Sequence, residues 1–500
     1  MRSGLKSTSH ELRKDIFGFA RIVSGCVLGA GILSLIFTGL QINIFGFTQM
    51  PMVRTSFVLF VYFYFLAGII SIGSRQELLL IVTIPFLSQF YNIALGWDLP
   101  GGATSPLRLL PMIVMGIAMI LSLRRSSYRP AKSPILTWSL VLFISTMGAL
   151  MSMDISIVGG PMILLIGLLV PLFFFFIDNL SATDGRASQR LQLAILLGSL
   201  MLIGGNLATV TLGMGIEVSV GAGSLVGTRN MGDFNNIFTY LILGWPFAFS
   251  FIQKHNLFLS IVFVFLLIVV VALGFSRTAL FLSPVILLLS LGLVLRHSLR
   301  RALGSLFVVA AILAGFVSVW PAAEGMFFFW YQRLDFSISG GVSLYNALQS
   351  IAPGGDAFSY RAALKQDAFN LFTQSPVFGH GWGAFRELST SGFGQAHSLT
   401  HDLLVETGLL GAGLFWVLVG VILLNLLHLW RLRETDKLMV SLFTGMFGLW
   451  LLAAHTLGAQ LYIASKSGIQ VNIISGILFV LFLKRDLLVQ LVLPASREER

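Results

Sequence analysis

Charge is what this 500-residue chain has least of. Aspartate, glutamate, lysine and arginine together make up 11% of it, against roughly 25% in soluble domains. With 56% hydrophobic residues beside that deficit, a soluble globular fold is excluded and an integral membrane protein is implied. The single cysteine, Cys26, excludes an intramolecular disulfide framework. HExxH, P-loop and dinucleotide fingerprints are absent: Gly221-Ala222-Gly223 and Gly379-His380-Gly381-Trp382-Gly383 are glycine-rich but match none of them, and read as tight turns. Carboxylates do not cluster on the outer side in a way that would hold a metal. There is no internal repeat, and the ionisable residues gather at the outer rim rather than the bilayer midplane, both unlike a transporter.

What the chain has in quantity is apolar runs of roughly 20 residues, the length that crosses a bilayer as helix. They are too long and too uniformly apolar for barrel strands, so the expected fold is all-α, a polytopic membrane helical bundle. Spans are expected near 16–38, 53–73, 77–95, 105–123, 134–153, 157–177, 191–213, 235–253, 257–275, 278–296, 302–321, 402–430, 438–458 and 466–484, about fourteen transmembrane helices. Val23-Ser24-Gly25-Cys26 looks like a lipoprotein cleavage box, but Arg21 breaks the apolar run before it, so the first span is read as retained.

The net charge of +11 follows from topology rather than nucleic-acid binding. With the N-terminus inside, most of the 32 lysines and arginines fall in inner loops, among them Arg124, Arg125, Arg129, Lys132, Arg296, Arg300, Arg301, Arg431, Arg433, Lys437, Lys484 and Arg485. Both termini are then cytoplasmic. The chain divides into a bundle of about eleven spans (1–321), one large extracytoplasmic loop containing short helices (322–401), and C-terminal spans with a cytoplasmic tail (402–500). A loop that long is usually functional. Within it, Phe358 to Gln374 has the pattern of an interfacial helix, ended by Ser375-Pro376.

The residues able to do chemistry lie at this outer rim. Arg229, Arg277, Arg333, Arg361 and Arg386 are exceptions to the positive-inside bias, as are Arg54 and Arg108 near span ends. Arg277 interrupts an otherwise apolar run, where a guanidinium faces a partner or cavity or snorkels as an anchor. Guanidinium suits bidentate phosphate recognition. Unperturbed imidazole titrates near neutrality, so His397 could act as a general base, or simply cap a helix. His401, four residues on, would share its face on a helix; that spacing also suits a metal pair, but no third ligand is evident. Asp402 falls in the first turn of the next span and Glu406 one turn deeper, where each could orient a histidine or arginine or pair with a neighbouring helix. Gly227-Thr228-Arg229 with Asn235 and Asn236 forms a polar cluster that could cap a helix or bind a sugar.

Four of these elements, in order, resemble the O-antigen ligase and Wzy-type polysaccharide polymerase superfamily. They are Gly227-Thr228-Arg229 with Asn235-Asn236; Ser276-Arg277-Thr278-Ala279-Leu280; Tyr360-Arg361 followed by Ser375-Pro376 and Gly379 to Phe385; and His397-Ser398 followed by Leu403, Glu406, Gly408 and Gly411. The resemblance covers roughly residues 220–430. Ser398 stands where the family more often has Asn, and His401 where it is commonly apolar.

The resemblance implies a glycan transferase on the outer face of the bacterial inner membrane that needs no cofactor or metal. Its donor would be a glycan on undecaprenyl diphosphate. Its acceptor would be another glycan, for a polymerase, or lipid A core, for a ligase; a protein hydroxyl is a variant of the latter. Arg277 and Arg361 would clamp the diphosphate and His397 would act at the acceptor. Arg229, Asn235, Asn236, Arg333, Arg386, His401 and Glu406 would contact substrate. Membrane lipid and a chain-length regulator protein are the other implied partners; nucleic acid is not. A transporter or lipid flippase is the alternative from another class.

Overall fold

A computed structural model describes residues 2–44, 46, 51–95, 110–126, 135–141, 144, 159–183, 186–211, 234–255, 260, 262–263, 266, 277–295, 356–381, 384–389, 396, 398–433, 435–457 and 469–493. Among the described residues there are fourteen helices and no strands: α1 (Arg2–Gly39), α2 (Pro51–Ile70), α3 (Glu77–Leu95), α4 (Leu110–Arg125), α5 (Gly159–Thr183), α6 (Ala187–Thr211), α7 (Phe234–His255), α8 (Arg277–Leu295), α9 (Asp356–Gln374), α10 (Ala384–Leu388), α11 (Leu399–Arg431), α12 (Lys437–Leu457), α13 (Ile469–Leu483) and α14 (Arg485–Val492).

Five of the described helical stretches are long and apolar enough to cross a membrane: Lys14–Gly39, Met52–Ile70, Ala187–Gly204, Leu399–Arg431 and Lys437–His455. Shorter apolar helices lie at Glu77–Leu87, Leu168–Ser181, Tyr240–Ile252 and Pro284–Leu293. The protein is thus a helical membrane protein. The span expected at 302–321 lies outside the described residues, as do most of those at 134–153 and 257–275.

Hydrophobicity faces both ways in this bundle. On α1, Phe17, Leu28, Ile32 and Leu35 are exposed, as a lipid-facing helix requires, because lipid rather than water surrounds it. Helix association therefore rests on close packing and buried polar contacts. Gly198 of α6 lets α3 approach: a Cβ there would come within 2.5 Å of the Phe86 ring. Trp245 Nε1 of α7 donates to Ser290 Oγ of α8 at 2.9 Å, an interhelical bond worth on the order of 1 kcal/mol in apolar surroundings. Phe247 meets Phe443 of α12 and Phe482 of α13 edge-on, with ring centroids 5.1 and 5.3 Å apart, the geometry that ring quadrupoles favour.

The same contacts sort the ends of the helices. Phe247, near the end of α7, touches the beginning of α12 and the end of α13. Asn425, late in α11, donates to the carbonyls of Phe482 and Leu483 at 3.2 and 3.1 Å. Lys484 pairs with Asp178 of α5. Gln192, at the start of α6, bonds Ser250 of α7. Two residues earlier, Arg190 pairs with Asp15 at 3.1 Å, and Arg75 reaches the same carboxylate at 3.4 Å. Arg125 donates to the Ile72 carbonyl at 3.1 Å. A large set of cations thus collects at one end of the bundle.

If Gly198 is what admits the Phe86 ring, replacing it overpacks this seam, at a cost of about 1–3 kcal/mol. Gly198→Ala is expected to lower the melting temperature in detergent. Gly204→Ala on the same helix, where an added Cβ meets nothing within 4 Å, is expected to leave it unchanged or slightly raised. Equal melting of the two variants would contradict the packing.

Candidate functional site

The end of α11 opposite the cations is built around a bend. Gly408 has φ +63° and ψ −166°, a conformation essentially reserved for glycine. Thr400 Oγ1 lies 2.8 Å from His455 Nε2 near the end of α12, and the His455 ring packs on Trp416 with centroids 5.7 Å apart. Thr400 and Trp416 lie eight residues to either side of Gly408, about 12 Å of helix each way, yet they meet the same side chain. The two arms therefore fold back on one another. The single span expected at 402–430 is instead a short arm (399–407) and a long one (409–431), the latter about 35 Å of helix and enough to cross a bilayer.

A bend in apolar surroundings strands backbone groups that must find partners elsewhere. In an unbroken helix Leu409 and Leu410 would donate to the carbonyls of Val405 and Glu406. Here Leu409 N donates to Pro376 O at 2.8 Å and Leu410 N to Val377 O at 3.2 Å. The two released carbonyls are taken up by the same turn: His380 N donates to Val405 O at 2.7 Å and Gly381 N to Glu406 O at 2.9 Å. Four bonds are exchanged between turn and helix, and none of the four groups is left unpaired.

This exchange explains the glycines. Gly379 and Gly381 have φ of +72° and +94°. A Cβ on Gly379 would come within 2.5 Å of the Glu406 and Thr407 backbone, and one on Gly408 within 2.3 Å of the Val377 carbonyl. Neither clash is with a flexible side chain that could move. The Gly379–Gly381 segment is therefore more than the tight turn its composition suggests. The turn is braced internally as well, by Ser375 Oγ to Gly379 O at 2.7 Å and by His380 Nε2 to Leu371 O at 2.8 Å.

A second, small core sits on this interlock. Leu364, Ala368 and Leu371 of α9 pack with Phe385 of α10, Ala396 and Val405. Ser389 Oγ donates to Asp367 Oδ2 at 2.5 Å. Buried Asp402 accepts the Ala396 amide at 2.6 Å through Oδ1, and its own amide donates to the Ser398 carbonyl at 2.9 Å. The chain on both sides of position 397 is thus pinned to the short arm. In the long arm, Trp138 Nε1 donates to the Gly411 carbonyl at 3.1 Å and its ring meets Phe415.

The helix expected at 358–374 is present as α9, ending at the expected Ser375-Pro376. His401 lies on the short arm, its Nδ1 2.8 Å from Ser398 Oγ, and Glu406 is buried beside the bend. Helix α11 starts at Leu399, with Ser398 extended (φ −154°, ψ 114°); the face expected to be shared by His397 and His401 falls partly outside the described residues. Arg361 and Arg386 belong to α9 and α10, so the structure brings their backbones to the same small core as His401 and Glu406. Arg277 opens α8, a helix packed on α7 and α12. The side chains of Arg277, Arg361, Arg386, Asn235 and Asn236 lie outside the described residues, as do Arg229, Arg333 and His397 entirely. Sequence reasoning missed Lys365, Thr400 and His455; the available signal was a lone histidine in the apolar run LLAAHTLG, since ionisable residues in such runs are rarely idle.

Substituting either interlocking glycine is expected to cost about 1–3 kcal/mol for the backbone conformation alone, before the clash. Gly379→Ala and Gly408→Ala should melt earlier than the parent and be cleaved faster by added protease between residues 382 and 398. Gly413→Ala, on the long arm with open space around it, should behave as the parent in both assays.

Residues 262–416 match the family model described as O-antigen ligase. No curated protein matches the chain. The matched segment contains three of the four elements noted in the sequence, from Arg277 to Gly411; the element holding Arg229, Asn235 and Asn236 precedes it. It also contains both halves of the interlock. Over residues 262–416, about a third of its length, the chain is similar to the O-antigen ligase family.

Proposed function

We propose that the protein is a glycan transferase of the bacterial inner membrane that moves an undecaprenyl-diphosphate-linked oligosaccharide onto a hydroxyl acceptor at the outer face. One observation supports this most: the segment matched to the ligase family carries the interlocked turn and bent helix, at the bundle end opposite the cation-rich one. By the positive-inside bias the cationic end faces the cytoplasm, which turns the interlock, α9 and α10 to the periplasm. The fuller topology of this reading has about fourteen spans, cytoplasmic termini and a catalytic segment at 322–401.

The reaction assigned to this rim is one displacement. The acceptor hydroxyl oxygen attacks the anomeric carbon, and the bond from that carbon to the diphosphate oxygen breaks. The proton passes to the imidazole of His397 and the electron pair leaves with the lipid diphosphate. A base of near-neutral pKa suits the first transfer. The guanidinium groups of Arg277 and Arg361 stabilise the charge developing on the leaving group, where fixed cations in a low-dielectric site act most strongly. Attack from the face opposite the leaving group inverts the anomeric configuration. Arg229, Asn235, Asn236, Arg333, Arg386, His401 and Glu406 contact the substrates, and Asp402 holds Ala396 and Ser398, which flank position 397 in sequence. The mechanism calls on no metal or cofactor.

Within this class we assign a polymerase, joining one lipid-linked glycan to another, on the span number and length of the chain; a chain-length regulator is then its expected protein partner. The description of the matched family favours the second reading, a ligase with lipid A core as acceptor. Deleting the gene and resolving surface polysaccharide on a gel separates them. Core capped with single repeats indicates a lost polymerase, and absence of any capped core indicates a lost ligase. Movement of lipid-linked glycan across vesicles without transfer would instead indicate a transporter.

Arg277→Ala, Arg361→Ala and His397→Ala are each expected to reduce transfer by about 100-fold or more, the usual loss for a transition-state charge stabiliser, with membrane insertion retained. Full transfer by the His397 variant would remove its assigned role. Full transfer is expected in the presence of chelator; complete loss there would restore the metal pairing of His397 and His401.

A further inference from the structure

Beside the interlock, three helices bring together groups that the mechanism above leaves largely unused. His455 Nδ1 lies 2.8 Å from the Leu451 carbonyl. A carbonyl only accepts, so this nitrogen carries a proton. The other nitrogen then accepts from the Thr400 hydroxyl when the ring is neutral, or donates to it when the ring is charged. The pair keeps its hydrogen bond in either state. His401 engages Ser398 through Nδ1, and no described group bonds its Nε2. Lys365 of α9 is half-buried, and among the described residues no carboxylate pairs with it. Lys365 and His455 are both near enough to His401 to act on it as like charges. Three cationic or proton-accepting groups at one end of α11, none with a described carboxylate partner of its own, add positive potential there. Trp416, packed on His455 and 40% exposed, adds an aromatic wall.

We infer that Lys365, His401 and His455, with Trp416 as an aromatic wall, form a subsite for an acidic sugar, holding a carboxylate or phosphate substituent of the acceptor glycan. An aromatic face beside a cation fits a sugar ring that bears an oxyanion: the ring buries apolar C–H surface against the indole, and the anion takes charge-assisted hydrogen bonds. The charge requirement also separates this subsite from the diphosphate clamp. A diphosphate calls for the permanently charged guanidinium groups of Arg277 and Arg361, whereas one lysine and two imidazoles suit a single oxyanion. This deepens the glycan-transferase reading and rests on it.

The test uses the full chain in lipid nanodiscs with three probes: a glucuronate-bearing oligosaccharide, its neutral glucose counterpart, and farnesyl diphosphate. The parent is expected to bind the acidic oligosaccharide about tenfold or more tightly than the neutral one, the scale of one charge-assisted hydrogen bond. Lys365→Met should erase that preference, and so should His401→Gln combined with His455→Gln, while farnesyl diphosphate binding and the melting temperature stay at parental values. A phosphate-bearing sugar run beside the glucuronate probe distinguishes the two oxyanions; preference for either one supports the subsite. No preference in the parent, or a preference that survives in both variants, would overturn it. An equal loss of farnesyl diphosphate binding would also overturn it, by placing these groups in the diphosphate clamp. Should the parent keep the preference yet transfer no lipid-linked glycan, the subsite stands and the transferase reading falls. Should it transfer glycan with no preference, the reverse holds.

Discussion

Four backbone hydrogen bonds exchanged between a glycine turn and a bent helix hold one end of this protein together. Leu409 and Leu410 give their protons to Pro376 and Val377, and Val405 and Glu406 receive theirs from His380 and Gly381. In apolar surroundings an unpaired backbone group costs several kcal/mol, so the bend and the turn require each other. A helix broken at Gly408 without the turn would strand two carbonyls and two amides. The turn without the break would find those carbonyls already occupied.

The rest of the site follows from that constraint. The bend folds the short arm back, so that Thr400 reaches His455, and it presents Val405 to the small core that holds α9 and α10. Those helices carry Arg361, Lys365 and Arg386. Asp402 fixes the chain around position 397 from the same arm. Residues far apart in sequence are thereby gathered on one rigid support, and side chains that act on a substrate need such a support to keep their geometry. The main bundle serves as foundation: Trp138 and Phe415 tie the long arm to a core shared with α7, α12 and α13.

Much of this was legible in the sequence, and the reasons for the remainder are physical. Helix α9 could be read because its apolar positions recur at helical spacing and Ser375-Pro376 ends it. Membrane character followed from the deficit of charge. The bend could not be read, because 402–430 is predominantly apolar and a lone glycine inside a helical pattern is commonly tolerated. Only the partner turn, about 30 residues upstream, makes Gly408 a break point. The same holds for Gly379 and Gly381: local pattern gives a turn, while their lack of a Cβ serves contact with another segment. Lys365 and Thr400 were missed because each is unremarkable alone and gains meaning from its neighbours in space, whereas His455 offered a signal as the lone histidine of an apolar run.

Amide hydrogen exchange on the full chain in nanodiscs tests the interlock most directly. The amides of His380, Gly381, Leu409 and Leu410 should exchange as slowly as those in the middle of the long arm, and all four should be released together as denaturant is added. Fast exchange at His380 and Gly381, as in a free turn, while residues 412–431 stay protected would contradict the account.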